Sequence, residues 1–309
     1  MSRESYANAM APARAPASLQ QPATPCAPCR PTPHEAAALV EIARNAAGLR
    51  IDPGKVDFLS QRLSRELRRT GEADFASYCA RLRRGEARDL KGFVEALTTH
   101  TTAFFREEAH FAWLAREGWA HLAARLEAGS GPGDRAAARP LTIWSAACST
   151  GQELYTALMA FEEARPALPR GLGVEGIGTD ISKPVLDSAQ RGVYRRGDLS
   201  GLSEARRRRF ILQARDGSDR FRIVPELRRQ TRWFHLNLTN PGAVALPEAD
   251  LILIRNVLIY FDLSTQAQVV ARLAARLRPG GVLLTGHSES LTTPPPGLTA
   301  RAPATYVKD

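Results

Sequence analysis

Cysteine is scarce: Cys26, Cys29, Cys79 and Cys148 are the only four in 309 residues, too few and too unevenly set for a disulfide framework. Cys26-Ala-Pro-Cys29 has the spacing of half a zinc site, but no second pair accompanies it and its surroundings are Pro and Ala, so the spacing is read as chance and no metal is expected. No apolar run approaches the roughly eighteen residues of a membrane span, and the first residues lack the apolar core of a secretory signal. A cytoplasmic protein without membrane insertion is the expectation. Acidic residues are in the minority, with 42 Lys and Arg against 32 Asp and Glu, a net charge of +10. That sign favours acidic partners. The strand–turn–helix stretch at 141–161 also lacks the dinucleotide fingerprint G-x-G-x-x-G, which argues against a dehydrogenase.

What is present centres on residues 141–161. Leu141, Ile143 and Trp144 read as a buried strand, and Ser145 to Gly151 carry almost no side-chain bulk, so the backbone there can approach a ligand closely. Leu154, Leu158 and Phe161 recur at helical spacing, placing a helix from about Gly151 with its free N–H groups toward the turn. Strand, small-residue turn and helix form the frame of a nucleotide pocket, although a tightly packed α/β crossover has the same signature.

Residues 1–32 are rich in Ala, Pro, Ser and Gln and cannot bury enough surface to offset ordering entropy, so a disordered tail is expected. Helical periodicity then predicts a small all-α domain over 33–97: a helix from Pro33 that stops at Gly48, one from about Lys55, one from Phe75 to Arg84, and one from Leu90 to Leu97. Between residues 60 and 91 nine Lys and Arg face five acids, which suits either a solvated face or a docking face. Residues 98–139 read as a linker and a helix, opening on Thr98-Thr-His-Thr-Thr-Ala-Phe-Phe-Arg106 and closing on the flexible Gly129-Ser-Gly-Pro-Gly133.

From 140 to 309 strands and helices alternate. Val174 to Asp180 is a strand ending on an acid, where nucleoside-binding α/β folds hold ribose hydroxyls, and Ser182 followed by Pro184 reads as a helix start with Ser182 as N-cap. Residues 193–232 interrupt the alternation with a predicted β insertion; from 191 to 232 thirteen arginines stand against five acids, which favours a basic binding surface. Thr231 to Leu236 is read as a strand. Asp250-Leu-Ile-Leu-Ile-Arg-Asn-Val-Leu-Ile-Tyr-Phe261 is nearly continuously apolar, as a central parallel strand covered on both faces should be. Its polar members Arg255, Asn256 and Tyr260 fall at the carboxyl end, where open α/β sheets place ligands. A helix over 264–277, the break Arg278-Pro-Gly-Gly281, a strand from Val282 and a last strand Thr305 to Lys308 complete a mostly parallel sheet.

Five separated segments together resemble the CheR-type chemoreceptor glutamate methyltransferases: Thr98 to Arg106, Ser145-Ala-Ala-Cys-Ser-Thr-Gly-Gln-Glu153, Asp180-Ile181, Arg255-Asn-Val-Leu-Ile-Tyr-Phe261, and Gly286-His-Ser-Glu-Ser290. The resemblance runs from about residue 35 to the C-terminus. It implies an α/β fold, a Rossmann-like S-adenosylmethionine domain with a small β insertion, preceded by an all-α domain. It further implies that His100, Thr102, Arg106, Glu153, Asp180, Asn237, Leu238, Arg255 and Asn256 line the cofactor pocket, and that Arg106 and Tyr260 lie near the transferable methyl. Two positions depart from the family pattern: His100 stands where Asn is usual, and Gln152-Glu153-Leu154 replaces acid-acid-proline. Glu153 keeps the acid.

The resemblance implies methyl transfer from S-adenosylmethionine to receptor glutamate carboxylates, with acidic cytoplasmic receptor helices, and in some members a receptor C-terminal peptide, as partners. A monomer without nucleic-acid partners is expected. Nucleic-acid amino-methyltransferases carry Asn/Asp-Pro-Pro-aromatic where this chain has Arg255-Asn-Val-Leu-Ile-Tyr260. The remaining alternative is a catalytically weak S-adenosylmethionine-binding signalling adaptor of the same fold.

Overall fold

A computed structural model describes residues 30–128, 139–242 and 248–309. The expected disordered tail, the Cys26/Cys29 pair and the glycine loop Gly129–Gly133 therefore fall wholly or largely outside the described residues. Thr32, assigned to that tail, instead caps the first helix: its hydroxyl accepts from Glu35 N, and the Glu35 carboxylate accepts from Thr32 N in return.

Four helices come first: α1 (Pro33–Ala47), α2 (Val56–Thr70), α3 (Phe75–Arg83) and α4 (Ala87–Leu97). Leu39, Leu59, Leu63, Phe75, Tyr78 and Phe93 fill their shared core, and Gly48 stops α1 in the left-handed conformation at φ 69°. The predicted docking arginines divide. Arg62 bonds Thr99 Oγ1 at 3.1 Å, Arg69 pairs with Glu66, and Arg81 binds Asp89 at 2.7 Å. The first ties α2 to the linker, the second lies within α2, and the third joins α3 to α4. Arg65, Arg68, Arg83, Arg84 and Arg88 stay exposed.

After the linker come α5 (Glu108–Trp113), a π-helical turn Leu114–Gly118 and α6 (Trp119–Ala128). The second unit is built on β1 (Leu141–Ala146), α7 (Gln152–Ala164), β2 (Val174–Asp180), α8 (Lys183–Arg191), β3 (Val193–Tyr194), α9 (Glu204–Phe210), β4 (Ile211–Gln213), β5 (Phe221–Ile223), α10 (Pro225–Arg229), β6 (Thr231–His235), β7 (Ala249–Ile254), α11 (Leu263–Arg276), β8 (Leu277–Thr285), β9 (Leu298–Ala302) and β10 (Thr305–Lys308). Seven strands form one sheet in the order β6-β2-β1-β7-β8-β10-β9, parallel except where β10 runs against β8 and β9. The central strands are buried along their whole length because both faces are covered. Alternate residues serve opposite cores: Leu251 and Leu253 face α6 and α7, while Ile252 and Ile254 face α11.

Three details differ from expectation. Strand β8 begins at Leu277, so Pro279 and Gly280 lie within it rather than in a loop; the pairing with β7 shifts register at Ala249/Leu251 to accommodate them. Strand β9 was not expected. Ser182 does precede α8, yet its side chain makes no capping bond; its backbone N–H donates to the Asp180 carboxylate at 2.9 Å.

The insertion carries a separate antiparallel sheet in the order β3-β5-β4. Its arginine run is neither simply solvated nor simply free for partners. Arg206 lies over the Phe105 ring with its guanidinium carbon 3.5 Å from the centroid and binds Glu163 at 2.9 Å; Arg207 and Arg209 donate to the carbonyls of Leu199 and Glu162. Arg206 and Arg209 fasten the insertion to the body, Arg207 braces the insertion internally, and Arg208 pairs with exposed Glu204.

Candidate active site

The small-residue turn leaves β1 in an unusual backbone path. Ala147 and Ser149 both take positive φ, 62° and 50°, and Gly151 follows at 93°. A Cβ at Gly151 would meet Ala189 Cβ at 2.9 Å, so the turn needs glycine on grounds of both space and conformation. Cys148 N bonds Thr179 O and Ser149 N bonds Asp180 Oδ2 at 2.8 Å, which ties the turn to the end of β2. Ser149 Oγ reaches the carbonyl of His100 at 2.9 Å and ties it to the linker as well.

A cavity opens at this junction of turn, linker and all-α unit. His100, Thr102, Arg106, Glu153, Asp180, Asn237, Leu238, Arg255, Asn256 and Tyr260, all ten residues singled out in the sequence, line it together. Ala147, Cys148 and Ser149 line it as well, Leu97, Ile181 and Leu236 give it apolar walls, and Ala47 and Leu49 of the helical unit help to enclose it. Ile181 and Tyr260 also pack on the helical core, and Arg50 N donates to Tyr260 O at 2.7 Å.

Charge is concentrated on one wall. The Arg255 side chain is 2% exposed and lies between two carboxylates, Glu153 and Glu107, each at 3.2 Å. Its guanidinium also donates to the carbonyl of Arg106 and lies 5.5 Å from the Phe111 ring centroid. Its Nε is buried without a partner among the described residues. Glu153 further accepts from Ser145 Oγ at 2.7 Å; burial pushes its carboxyl above the ordinary range against the opposing pull of Arg255. Burial raises Asp180 too, against the backbone N–H groups of Ser182 and Ser149. His100 is pushed down, burial outweighing the attraction of Asp180, and its ring Nε2 stands 3.0 Å from Thr98 Oγ1.

Two predicted residues use their side chains internally. Asn237 donates to Ala46 O at 2.9 Å and accepts from Thr239 N and Oγ1, so its amide joins the two units and leaves its backbone for any ligand. Asn256 sits at φ 59° with its N–H on Glu289 Oε2 at 2.6 Å. Sequence reasoning missed Glu107, Ser145 as a partner of Glu153, and the role of Glu289, which accepts from Gly286, Asn256 and Ile259 backbone N–H groups. The only available signal was position: Glu107 directly follows the Phe-Phe-Arg segment, and Glu289 lies in the Gly286–Ser290 segment.

The donor set suits a nucleoside bearing a cationic sulfur and an amino-acid tail. Acids at Glu153 and Asp180 can take ammonium and ribose hydroxyls, Arg255 has a buried N–H without a partner among the described residues, and carboxylates at the cavity wall suit a cationic ligand better than a pyrophosphate.

Comparison with known proteins agrees. Residues 34–98 match the family described as "CheR methyltransferase, all-alpha domain" and residues 100–303 the one described as "CheR methyltransferase, SAM binding domain". The chain is 37% identical over 244 residues to "Chemotaxis protein methyltransferase 2" of Pseudomonas aeruginosa, covering 79% of this chain and 81% of that one. It is 32% identical over 262 residues to "Chemotaxis protein methyltransferase" of Escherichia coli, covering 84% and 85%. "Chemotaxis protein methyltransferase 1" of Vibrio cholerae is 38% identical over 218 residues, covering 70% and 72%. With both halves matched in order, the chain belongs to the CheR methyltransferase family.

Proposed function

We propose that this chain is a protein-glutamate O-methyltransferase that esterifies glutamate side chains of chemoreceptors with methyl groups from S-adenosylmethionine. The observation that carries the reading is the convergence of ten residues, drawn from five separate stretches of chain, on one cavity. Asp180, Glu153, Arg255 and Asn256, with the backbone of Asn237 and Leu238 and the linker residues His100 and Thr102, would hold the cofactor. When bound, the cofactor supplies an electrophilic methyl on a sulfonium sulfur.

The protein's own part is positioning. A glutamate carboxylate is ionised at pH 7 and needs no general base. Holding it in line is the larger contribution. Arg106, half-buried with Nη1 on Thr101 O at 3.0 Å, keeps its other guanidinium nitrogens free of bonds among the described residues, and Tyr260 lines the same cavity. These two orient the incoming carboxylate. A cation that gripped it would blunt the nucleophile, so their part is alignment rather than activation.

The exposed arginines of α2 to α4 and of the insertion would meet acid-rich receptor helices, and the insertion could also take a receptor C-terminal peptide. We read the protein as a monomer acting in the cytoplasm; no helix among the described residues is long and apolar enough to cross a membrane. Incubation with methyl-labelled S-adenosylmethionine and receptor cytoplasmic domains should yield base-labile methyl esters. Tyr260→Phe and Arg106→Ala should each slow transfer by at least about tenfold, the effect of losing one oriented hydrogen bond. Wild-type rates in both variants would refute the assignment, and binding without transfer would mark a signalling adaptor.

A further inference from the structure

Glu107 lies just outside the cavity lining, directly behind the wall that carries Arg255 and Asn256. Its backbone is held in the left-handed region at φ 54°, close to Phe105 at 52°. A non-glycine residue in that region carries strain and persists only where its surroundings over-determine it. The carboxylate explains the conformation: Oε1 accepts from Asn256 Nδ2 at 3.0 Å, and Oε2 accepts from Arg255 Nη2 and from His287 N, each at 3.2 Å. Burial alone would raise this carboxyl, yet the Asn256 bond and the charge of Arg255 hold it below the usual range, so it is ionised at neutral pH.

One group thus fixes two cavity residues from the rear. Arg255 is gripped by Glu153 on the cavity side and by Glu107 behind, and Asn256 is held by Glu107 through its amide and by Glu289 through its backbone. With His110 and His287, Glu107 also places three donor atoms within 4.8 Å of one another, but the Arg255 cation already occupies the same carboxylate oxygen and opposes a second cation there.

We propose that Glu107 is a positioning residue for the cofactor: it aims Arg255 and Asn256 into the cavity and so sets cofactor affinity without touching the reacting groups. The proposal rests on the S-adenosylmethionine reading of that cavity. Without Glu107, Arg255 keeps only Glu153 as a charged partner and is freer to turn, so the loss should appear in binding rather than in the transfer step.

The test is calorimetric titration of S-adenosylhomocysteine into the full chain, alongside methyl-transfer kinetics and thermal melting. Glu107→Gln keeps the volume but removes the charge; Glu107→Asp keeps the charge on a shorter arm. Glu107→Gln should weaken S-adenosylhomocysteine binding by roughly ten- to a hundredfold, the worth of a charge-assisted hydrogen bond. KM for S-adenosylmethionine should rise in parallel, kcat at saturating cofactor should fall much less, and KM for the receptor domain should not move. Glu107→Asp should recover part of the affinity. Glu107→Gln binding like wild type would overturn the proposal, as would a fall in kcat matching the fall in affinity. Equal losses in the Gln and Asp variants that track a drop in melting temperature would reduce Glu107 to packing and overturn it too. A wild-type chain unable to bind S-adenosylhomocysteine would overturn the cofactor reading itself, and this proposal with it.

Discussion

At the scale of single residues, the polar groups that face no water are the informative ones. The His110 side chain is 2% exposed, and neither ring nitrogen has a hydrogen-bond partner among the described residues. Burial, reinforced by Arg255 and His287, pushes its pKa down to about 4. A histidine that ionises near 6.5 when unfolded but near 4 when folded contributes stability above pH 6.5 that is lost as pH falls toward 4. The carboxyls of Glu153, Asp180 and Glu289, raised by burial, act in the opposite sense, so the test is differential. Melting temperatures of wild type and His110→Gln should converge as pH drops from 7 to 4, with up to roughly 3 kcal/mol at stake at about 1.4 kcal/mol per pKa unit; parallel curves would show that His110 does not titrate this way. None of this was legible in the sequence, where His110 is one polar residue in an apolar helix. The cavity residues were legible because they fall in short polar or small-residue stretches flanked by apolar runs, as Arg255 and Asn256 do at the end of β7. Glu107 and Glu289 were not, because their partners are more than thirty residues away, from Glu289 to Asn256 and from Glu107 to Arg255.

Among the elements, boundaries followed local chemistry well wherever a cap or a break was encoded, as at Gly48 and Gly151, and poorly where tertiary packing decided. Strand β8 starts through Pro279 and Gly280 because it borders β7 and faces Arg125: a Cβ at Gly280 would lie 2.2 Å from Arg125 Nε. The arginine run of α9 looked like a binding surface, yet two of its members, Arg206 and Arg209, attach the insertion to the body. The link between the insertion and the linker is tight at Gly201, where an added Cβ would lie 1.9 Å from the carbonyl oxygen of Phe104. Gly201→Ala must therefore push the linker away from the insertion. It should cost about 1–3 kcal/mol as an overpacked contact and lower the melting temperature by roughly 2–4 °C per kcal/mol. Gly197→Ala, with nothing within 4 Å of the added Cβ, is the matched control, and equal melting of the two variants would contradict the packing argument.

Across the whole molecule, composition spoke to partners rather than fold. With the internal pairs set aside, exposed arginines remain on α2 to α4 in a chain of net charge +10, and the electrostatic steering proposed above for an acid-rich receptor should weaken with salt. Receptor methylation at subsaturating receptor should slow several-fold between about 0.05 and 0.5 M salt while cofactor affinity changes little; a salt-independent rate would remove the exposed arginines from substrate capture. The all-α unit has a kinetic consequence as well. Because Ala47 and Leu49 help to enclose the cavity and Asn237 is bonded to Ala46, loosening the seam between the two units should speed the release of a molecule held there. Gly48 lies at that seam, and a Cβ on it would come within 2.5 Å of Thr239 Cγ2. Gly48→Ala should wedge the seam, so that S-adenosylhomocysteine dissociates several-fold faster in stopped-flow measurements while its association rate stays near wild type. The helical unit would then be the timer of product release, setting how long each spent cofactor delays the next methylation.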